Sequence, residues 1–157
     1  MSLPTIAYRI VGRFSVTRLD RVVHPILYRW SGGRGVLGRV LGCEMVLLTT
    51  TGRRSGKPRT VALFAFPVPD VAAMGSWAVV ASRGGSKVIP AWFRNLEASP
   101  SATLQVHGWS IGVRAREVQG DEYEQIFEIA ADGYPGYRLY RAESPIHIPI
   151  VVLEPTS

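Results

Sequence analysis

At 157 residues, with 46% apolar and 19% charged residues, the chain can build one domain with a real core, which excludes wholesale disorder. A lone cysteine, Cys43, excludes an internal disulfide framework and any multi-cysteine zinc site. The net charge of +6 comes from one end: residues 1–40 hold seven arginines against Asp20, while residues 41–157 hold eleven basic and eleven acidic residues.

A basic arm of this kind attracts anionic surfaces, either lipid headgroups or nucleic acid. Within it Ile6, Ile10, Phe14, Leu19, Val22, Val23, Ile26, Leu27 and Trp30 recur at helical steps, predicting one or two amphipathic helices. Arginines interrupt every apolar stretch, so none approaches the roughly 20 residues of a membrane-spanning helix. Residues 1–35 are therefore expected to form an arm that lies on an anionic membrane face, or that packs on the rest of the chain or on a second copy. Residues 36–157 form the main domain. No signal peptide opens the sequence and disulfides are excluded, so the cytoplasm is the expected location, with peripheral attachment to the inner membrane face left open.

An apolar run over residues 45–51 stops at Gly52, and a second run covers residues 60–66. Two strands with glycine-rich turn chemistry between them predict a hairpin with a long tip. That tip holds Arg53, Arg54, Lys57 and Arg59, four cations in seven residues, together with Ser55. Either it is a solvated loop or it holds a polyanion. A nucleotide P-loop does not fit, because only three residues separate Gly52 from Gly56 and Pro58 follows Lys57.

Residues 60–82 imitate a membrane span, but Pro67, Pro69, Asp70 and Gly75 divide them into two strands, 60–66 and 77–81. A polar, glycine-rich loop over residues 82–87 adds Arg83 and Lys87, and Pro90 suits the start of a short helix over residues 91–98. Alternation at Ala102, Leu104 and Val106, then Ile111, Val113 and Ala115, predicts a second hairpin turning at His107 and Gly108. Acids at Asp121, Glu122 and Glu124 ahead of Ile126, Phe127 and Ala130 predict a helix over residues 121–131. Tyr134, Tyr137 and Tyr140 follow at steps of three. Residues 146–153 read as a closing strand, with Pro149 implying an edge or a bulge. His24, His107 and His147 are too scattered to ligate a metal, so no metal is expected. Six mostly antiparallel strands with few helices make this an α+β, mainly β chain, a small barrel and not a doubly wound sheet.

Four stretches together resemble the deazaflavin-dependent nitroreductase family, which uses reduced coenzyme F-420. They are residues 48–59, residues 80–96 (with Ser82, Gly84, Gly85, Pro90, Trp92 and Asn95), residues 134–140 and residues 148–152. The resemblance implies a split β-barrel related to FMN-binding proteins. It also implies a ligand for the tip: Arg53, Arg54 and Ser55, with Arg59 beside them, would grip the coenzyme's phosphodiester and oligoglutamate tail. Thr60, Val61, Ala62 and Leu63 and the segment Val80, Ala81, Ser82 and Arg83 would line the deazaflavin ring through their backbones. Ala91, Trp92, Phe93, Arg94 and Asn95 would close over it, Trp92 by packing and Asn95 by hydrogen bonding.

Ser82, Tyr134, Tyr137 and Tyr140 would donate to a planar acceptor such as a quinone as hydride arrives, with Tyr137 also at the cofactor. Arg54 replaces a familiar Lys, and Ala62 and Phe64 replace a familiar Pro and Tyr. Glu143 stands where an aromatic residue can cover the substrate pocket. These changes bear on nitroaromatic acceptors more than on the cofactor. The rival readings are an FMN-binding barrel and a non-catalytic deazaflavin carrier. A homodimer is left open, and no nucleic-acid recognition motif is present.

Overall fold

The computed structural model describes residue 26, residues 42–69 and residues 75–156. The expected arm therefore lies outside the described residues, apart from Ile26, which is helical and exposed. Six strands form a closed, wholly antiparallel barrel: β1 (Glu44–Thr51), β2 (Pro58–Pro67), β3 (Trp77–Val80), β4 (Ser101–Val106), β5 (Trp109–Glu117) and β6 (Ile150–Pro155). They close in the order β1-β2-β3-β6-β5-β4. Three α-helices follow among the described residues of the main domain, α1 (Ala91–Ala98), α2 (Gly120–Gly133) and α3 (Gly136–Glu143), with a 3-10 turn at Arg83–Gly85.

Strand alternation sorts the core into two layers. Val46, Leu48, Val79, Leu104, Val113, Val151 and Leu153 point into the barrel, where α1 adds Trp92, Phe93 and Leu96. The opposite faces of β3 and β6 (Ala78, Val80, Ile150 and Val152) pack beneath α2 and α3, against Tyr123, Ile126, Phe127 and Ala130. Because β3 and the first four residues of β6 are covered on both sides, these stretches read as unbroken apolar runs, Trp77 to Val80 and Ile150 to Leu153. The apolar stretch that imitates a membrane span is thus β2 and β3. Among the described residues no helix is long and apolar enough to cross a membrane.

One boundary corrects the sequence reading. The last strand begins at Ile150, not at residue 146, and Pro149 lies outside it. The Pro149 carbonyl still accepts the Ala81 N–H at 2.8 Å, so the proline contributes the one ladder group it possesses. Pro149 thus sits one position before β6, where its missing N–H interrupts none of that strand's pairing.

Candidate cofactor site

The tip between β1 and β2 is held in shape by its own backbone. Gly52 N–H donates to the Lys57 carbonyl at 2.8 Å and Gly56 N–H donates to the Gly52 carbonyl at 2.7 Å. A side chain on Gly52 would meet Ser55 Oγ at 2.7 Å and the Lys57 carbonyl at 3.1 Å, so glycine leaves this closure undisturbed. Ser55 Oγ in turn accepts from Lys57 N–H at 3.3 Å and from Arg59 Nη2 at 3.4 Å. Arg53, Arg54, Lys57 and Arg59 are exposed, and none makes an ion pair with an acid among the described residues. Four unneutralised cations on a braced loop form a concentrated positive field.

Beside the tip the barrel wall is incompletely laddered. β1 pairs with β2 from Pro58 to Ala65, whereas β3 pairs with β2 only at Ala65, Phe66 and Pro67. Thr60, Val61, Ala62, Leu63 and Phe64 therefore have a strand on one side only among the described residues. β3 follows β6 instead, with Val80 opposite Ile150, and the chain then turns at Ser82. That turn is unusual. Ser82 is right-handed (φ −79°, ψ −27°), while Arg83, Gly84 and Gly85 follow at φ 45°, 65° and 77°.

A right-handed residue followed by a left-handed one draws successive N–H groups into a concavity suited to an anion or a carbonyl oxygen. Here the Gly85 and Ser86 N–H groups return to the carbonyls of Ser82 and Arg83, while those of Ser82, Arg83 and Gly84 have no acceptor among the described residues. An arginine at φ 45° costs about 1–3 kcal/mol, the kind of strain found where a backbone is shaped for a ligand.

Helix α1 meets the tip through Asn95. Its Oδ1 accepts from Arg53 N–H at 3.1 Å and from Arg53 Nη1 at 3.4 Å, and its Nδ2 donates to Thr50 Oγ1 at 3.0 Å. Trp92 and Phe93 point into the barrel core, while Ala91 and Arg94 are exposed and Arg94 pairs with Glu97 at 2.8 Å. The five α1 residues expected at the cofactor thus divide: two pack, one braces the tip, and two face outward.

The profile of the F420H(2)-dependent quinone reductase family matches residues 21–155. The chain belongs to that family. It is 32% identical over 135 residues to an F420H(2)-dependent quinone reductase of Mycobacterium tuberculosis, covering 83% of this chain and 87% of the relative. Among solved structures it resembles an F420-H2 dependent reductase, FDR-A, at 36% identity and TM-score 0.62, over 71% of this chain and 94% of that one. It also resembles a domain-swapped dimer at 34% identity and TM-score 0.63, over 84% of this chain and 96% of that one.

Membership of the F420H(2)-dependent quinone reductase family makes this an oxidoreductase whose reductant is reduced coenzyme F-420. The residues present fit that group. Its phosphodiester and glutamates are anionic, and the tip offers four cations without an acidic partner among the described residues. Its flat ring carries carbonyl oxygens, and the stretch of β2 paired on one side only among the described residues and the turn at Ser82 offer backbone donors.

Tyr134, Tyr137 and Tyr140 gather at the corner between α2 and α3. The ring centroids of Tyr134, Tyr137 and Tyr140 lie 5.0–6.1 Å apart, and the Tyr134 and Tyr140 hydroxyls are 3.0 Å apart. Tyr134 ends α2 while the other two ride on α3, joined by a turn in which Tyr137 N–H donates to the Tyr134 carbonyl at 3.0 Å. Phe64 on β2 packs at 5.3 Å from Tyr134, and Tyr140 lies beneath Gly85, where an added Cβ would meet its ring at 3.0 Å. All three tyrosines are at most 5% exposed.

Burial pushes the Tyr137 phenol far above its ordinary range, with Cys43 and Tyr140 adding to the shift. Burial also raises Tyr140, partly offset by its bond to Tyr134. Both groups keep their protons at neutral pH and can act only as neutral hydrogen-bonding groups. A separate open concavity of about 750 Å³ lies by Glu117, Asp121, Tyr123, Arg141 and His147. Its cation is already engaged, since Arg141 pairs with Glu124 at 2.9 Å and lies 3.6 Å over the Phe127 ring.

Proposed function

We propose that this chain passes hydride from reduced coenzyme F-420 to a planar quinone between the open stretch of β2 and the turn at Ser82. The observation that carries this reading is the braced tip with four cations that lack acidic partners among the described residues, next to a strand whose backbone is laddered by those residues on one side only. The coenzyme supplies the hydride. Arg53, Arg54 and Arg59 hold its phosphodiester and glutamates, and Thr60, Val61, Ala62 and Leu63 face its ring with Val80, Ala81, Ser82 and Arg83. Ser82 and the tyrosine cluster supply hydrogen bonds to the acceptor oxygen that gains charge, directly or through the turn that Tyr140 supports. With Ala62 and Phe64 at the ring, quinones are better acceptors than bulky nitroaromatics.

Anaerobic oxidation of reduced coenzyme F-420 by menadione, followed at the deazaflavin absorbance, tests the reading. Turnover is expected, together with tighter binding of oxidised coenzyme F-420 than of FMN. Binding without turnover would make the chain a carrier, and preferential FMN binding would make it a flavin barrel.

The basic arm supports peripheral attachment to an anionic membrane, where lipid-soluble quinones reside. Six net positive charges within residues 1–40 are ample for reversible binding at about 1 kcal/mol each near such a surface. On this reading the protein is cytoplasmic and works at the inner membrane face. A homodimer is also compatible, given the likeness to a domain-swapped dimer.

A further inference from the structure

We infer that Thr50 and Asn95 are positioning residues that hold the anion-binding tip rigid, and that the Asn95 amide serves the tip and not the cofactor. This rests on the reading of the tip as the holder of the coenzyme's phosphodiester and glutamates. Asn95 is 4% exposed and Thr50 is 2% exposed, both beside the apolar barrel interior. An amide oxygen has two lone pairs, and Oδ1 uses both on Arg53, one for the backbone N–H and one for Nη1. Nδ2 donates to Thr50 Oγ1, and the Thr50 hydroxyl makes a long bond of 3.5 Å to the Arg59 carbonyl.

Two side chains thereby reach both ends of the tip, Arg53 where it leaves β1 and Arg59 where it enters β2. The brace is anchored in turn. Trp92, Phe93 and Leu96 fix α1 in the core, so the rigidity of the barrel interior passes through Asn95 to the loop. Stability alone does not call for a buried polar pair, since an apolar pair of the same shape can be as stabilising. The network is explained instead by what it orders, a guanidinium and a backbone that would otherwise lose freedom when the anion binds. Ordering them in advance raises affinity for the anionic part of the ligand alone.

The test compares two ligands, whole coenzyme F-420 and its deazaflavin–ribitol fragment, which lacks the phosphodiester and glutamates. Wild-type protein is expected to bind the whole coenzyme more tightly than the fragment. Asn95→Leu should weaken binding of the whole coenzyme about tenfold, the equivalent of one or two hydrogen bonds, while the fragment stays within about twofold. Thr50→Val should act in the same direction and Thr50→Ser should restore wild-type affinity, which settles the matter even if Asn95→Leu fails to fold.

Equal weakening of both ligands would reduce the network to general structural support and overturn the inference. So would wild-type affinity for the whole coenzyme in Asn95→Leu or, if that variant does not fold, in Thr50→Val. A wild-type protein that binds the fragment as tightly as the whole coenzyme would instead overturn the reading of the tip, and this inference with it.

Discussion

Tyr134 and Tyr140 place their hydroxyls 3.0 Å apart within a buried ring cluster, and Tyr140 also underlies Gly85 in the turn that carries Ser82 and Arg83. One pair of phenols therefore links the α2–α3 corner to the backbone proposed to face the deazaflavin ring. Tyr134→Phe should lower kcat with menadione several-fold while the Kd for oxidised coenzyme F-420 stays within about twofold, because the hydroxyl is assigned to the acceptor side of the reaction. The same change should cost about 1 kcal/mol of stability, the usual worth of one hydrogen bond. If quinone turnover is unaltered while the melting temperature falls, the pair is packing and nothing more.

The same cluster predicts how stability depends on pH. Tyr123, Tyr137 and Tyr140 have folded values raised above 10.0, and Cys43 above 9.0, each mainly by burial. In alkali the native state therefore keeps protons that the unfolded chain has released. Their stabilising contribution is complete below the unfolded values and is lost as pH rises through the folded ones. Urea midpoints should be level up to about pH 9 and fall steadily above about pH 10, with a shallower fall in Tyr137→Phe. A midpoint that rises with pH in this range would contradict the buried-phenol account.

Much of this was legible because each signal was local. The hairpin with four tip cations, the Ala91–Ala98 helix and the second hairpin follow from alternation, glycine placement and the position of Pro90. What was illegible depends on contacts between distant residues. Nothing local in the sequence shows that the Asn95 amide bonds Thr50 and Arg53, 45 and 42 positions away. Thr50 carried a faint signal, a polar residue in register with the inward-facing Val46 and Leu48. The left-handed Arg83 carried none, because arginine has no preference for that conformation. The start of the closing strand is not legible because residues 146–149 are apolar enough to pass for strand, whereas β6 starts only after Pro149.

Gly136 marks a close approach that composition does not reveal. A Cβ there would lie 2.5 Å from the Tyr134 ring, which is packed against Phe64 and Tyr137 and has little room to move. Gly136→Ala should therefore destabilise the protein by about 1–3 kcal/mol, as overpacked cores generally do. It should also disturb the Tyr134–Tyr140 contact, so quinone turnover should drop together with the urea midpoint. Unchanged values of both would mean that the corner is more plastic than its packing implies.

The tip itself is tested by charge. Arg53→Ala combined with Arg54→Ala removes two cations that have no acidic partner in the described fold, so stability should change little. Coenzyme binding should weaken by several kcal/mol, at about 1.5–3 for each charged hydrogen bond lost. Raising the salt concentration should weaken the wild type more than the double variant, because less charge then remains to be screened. Binding within about threefold of wild type would return the tip to a solvated loop.

The arm offers the last test, and it joins location to substrate. Residues 1–40 supply the whole net charge of +6, interleaved with Phe14, Leu27 and Trp30 at helical spacing. Half of those charges, at about 1 kcal/mol each near an anionic surface, would still give reversible attachment. The attraction should fade as added salt brings the Debye length down from about 10 Å at 0.1 M. Co-sedimentation with anionic liposomes is therefore expected at low salt, with little at high salt and little on neutral liposomes. Deleting residues 1–34 should abolish it, while turnover of a water-soluble quinone persists. If the intact protein stays in the supernatant at low salt and the truncated form aggregates or changes oligomeric state, the arm packs on protein and the membrane reading is lost.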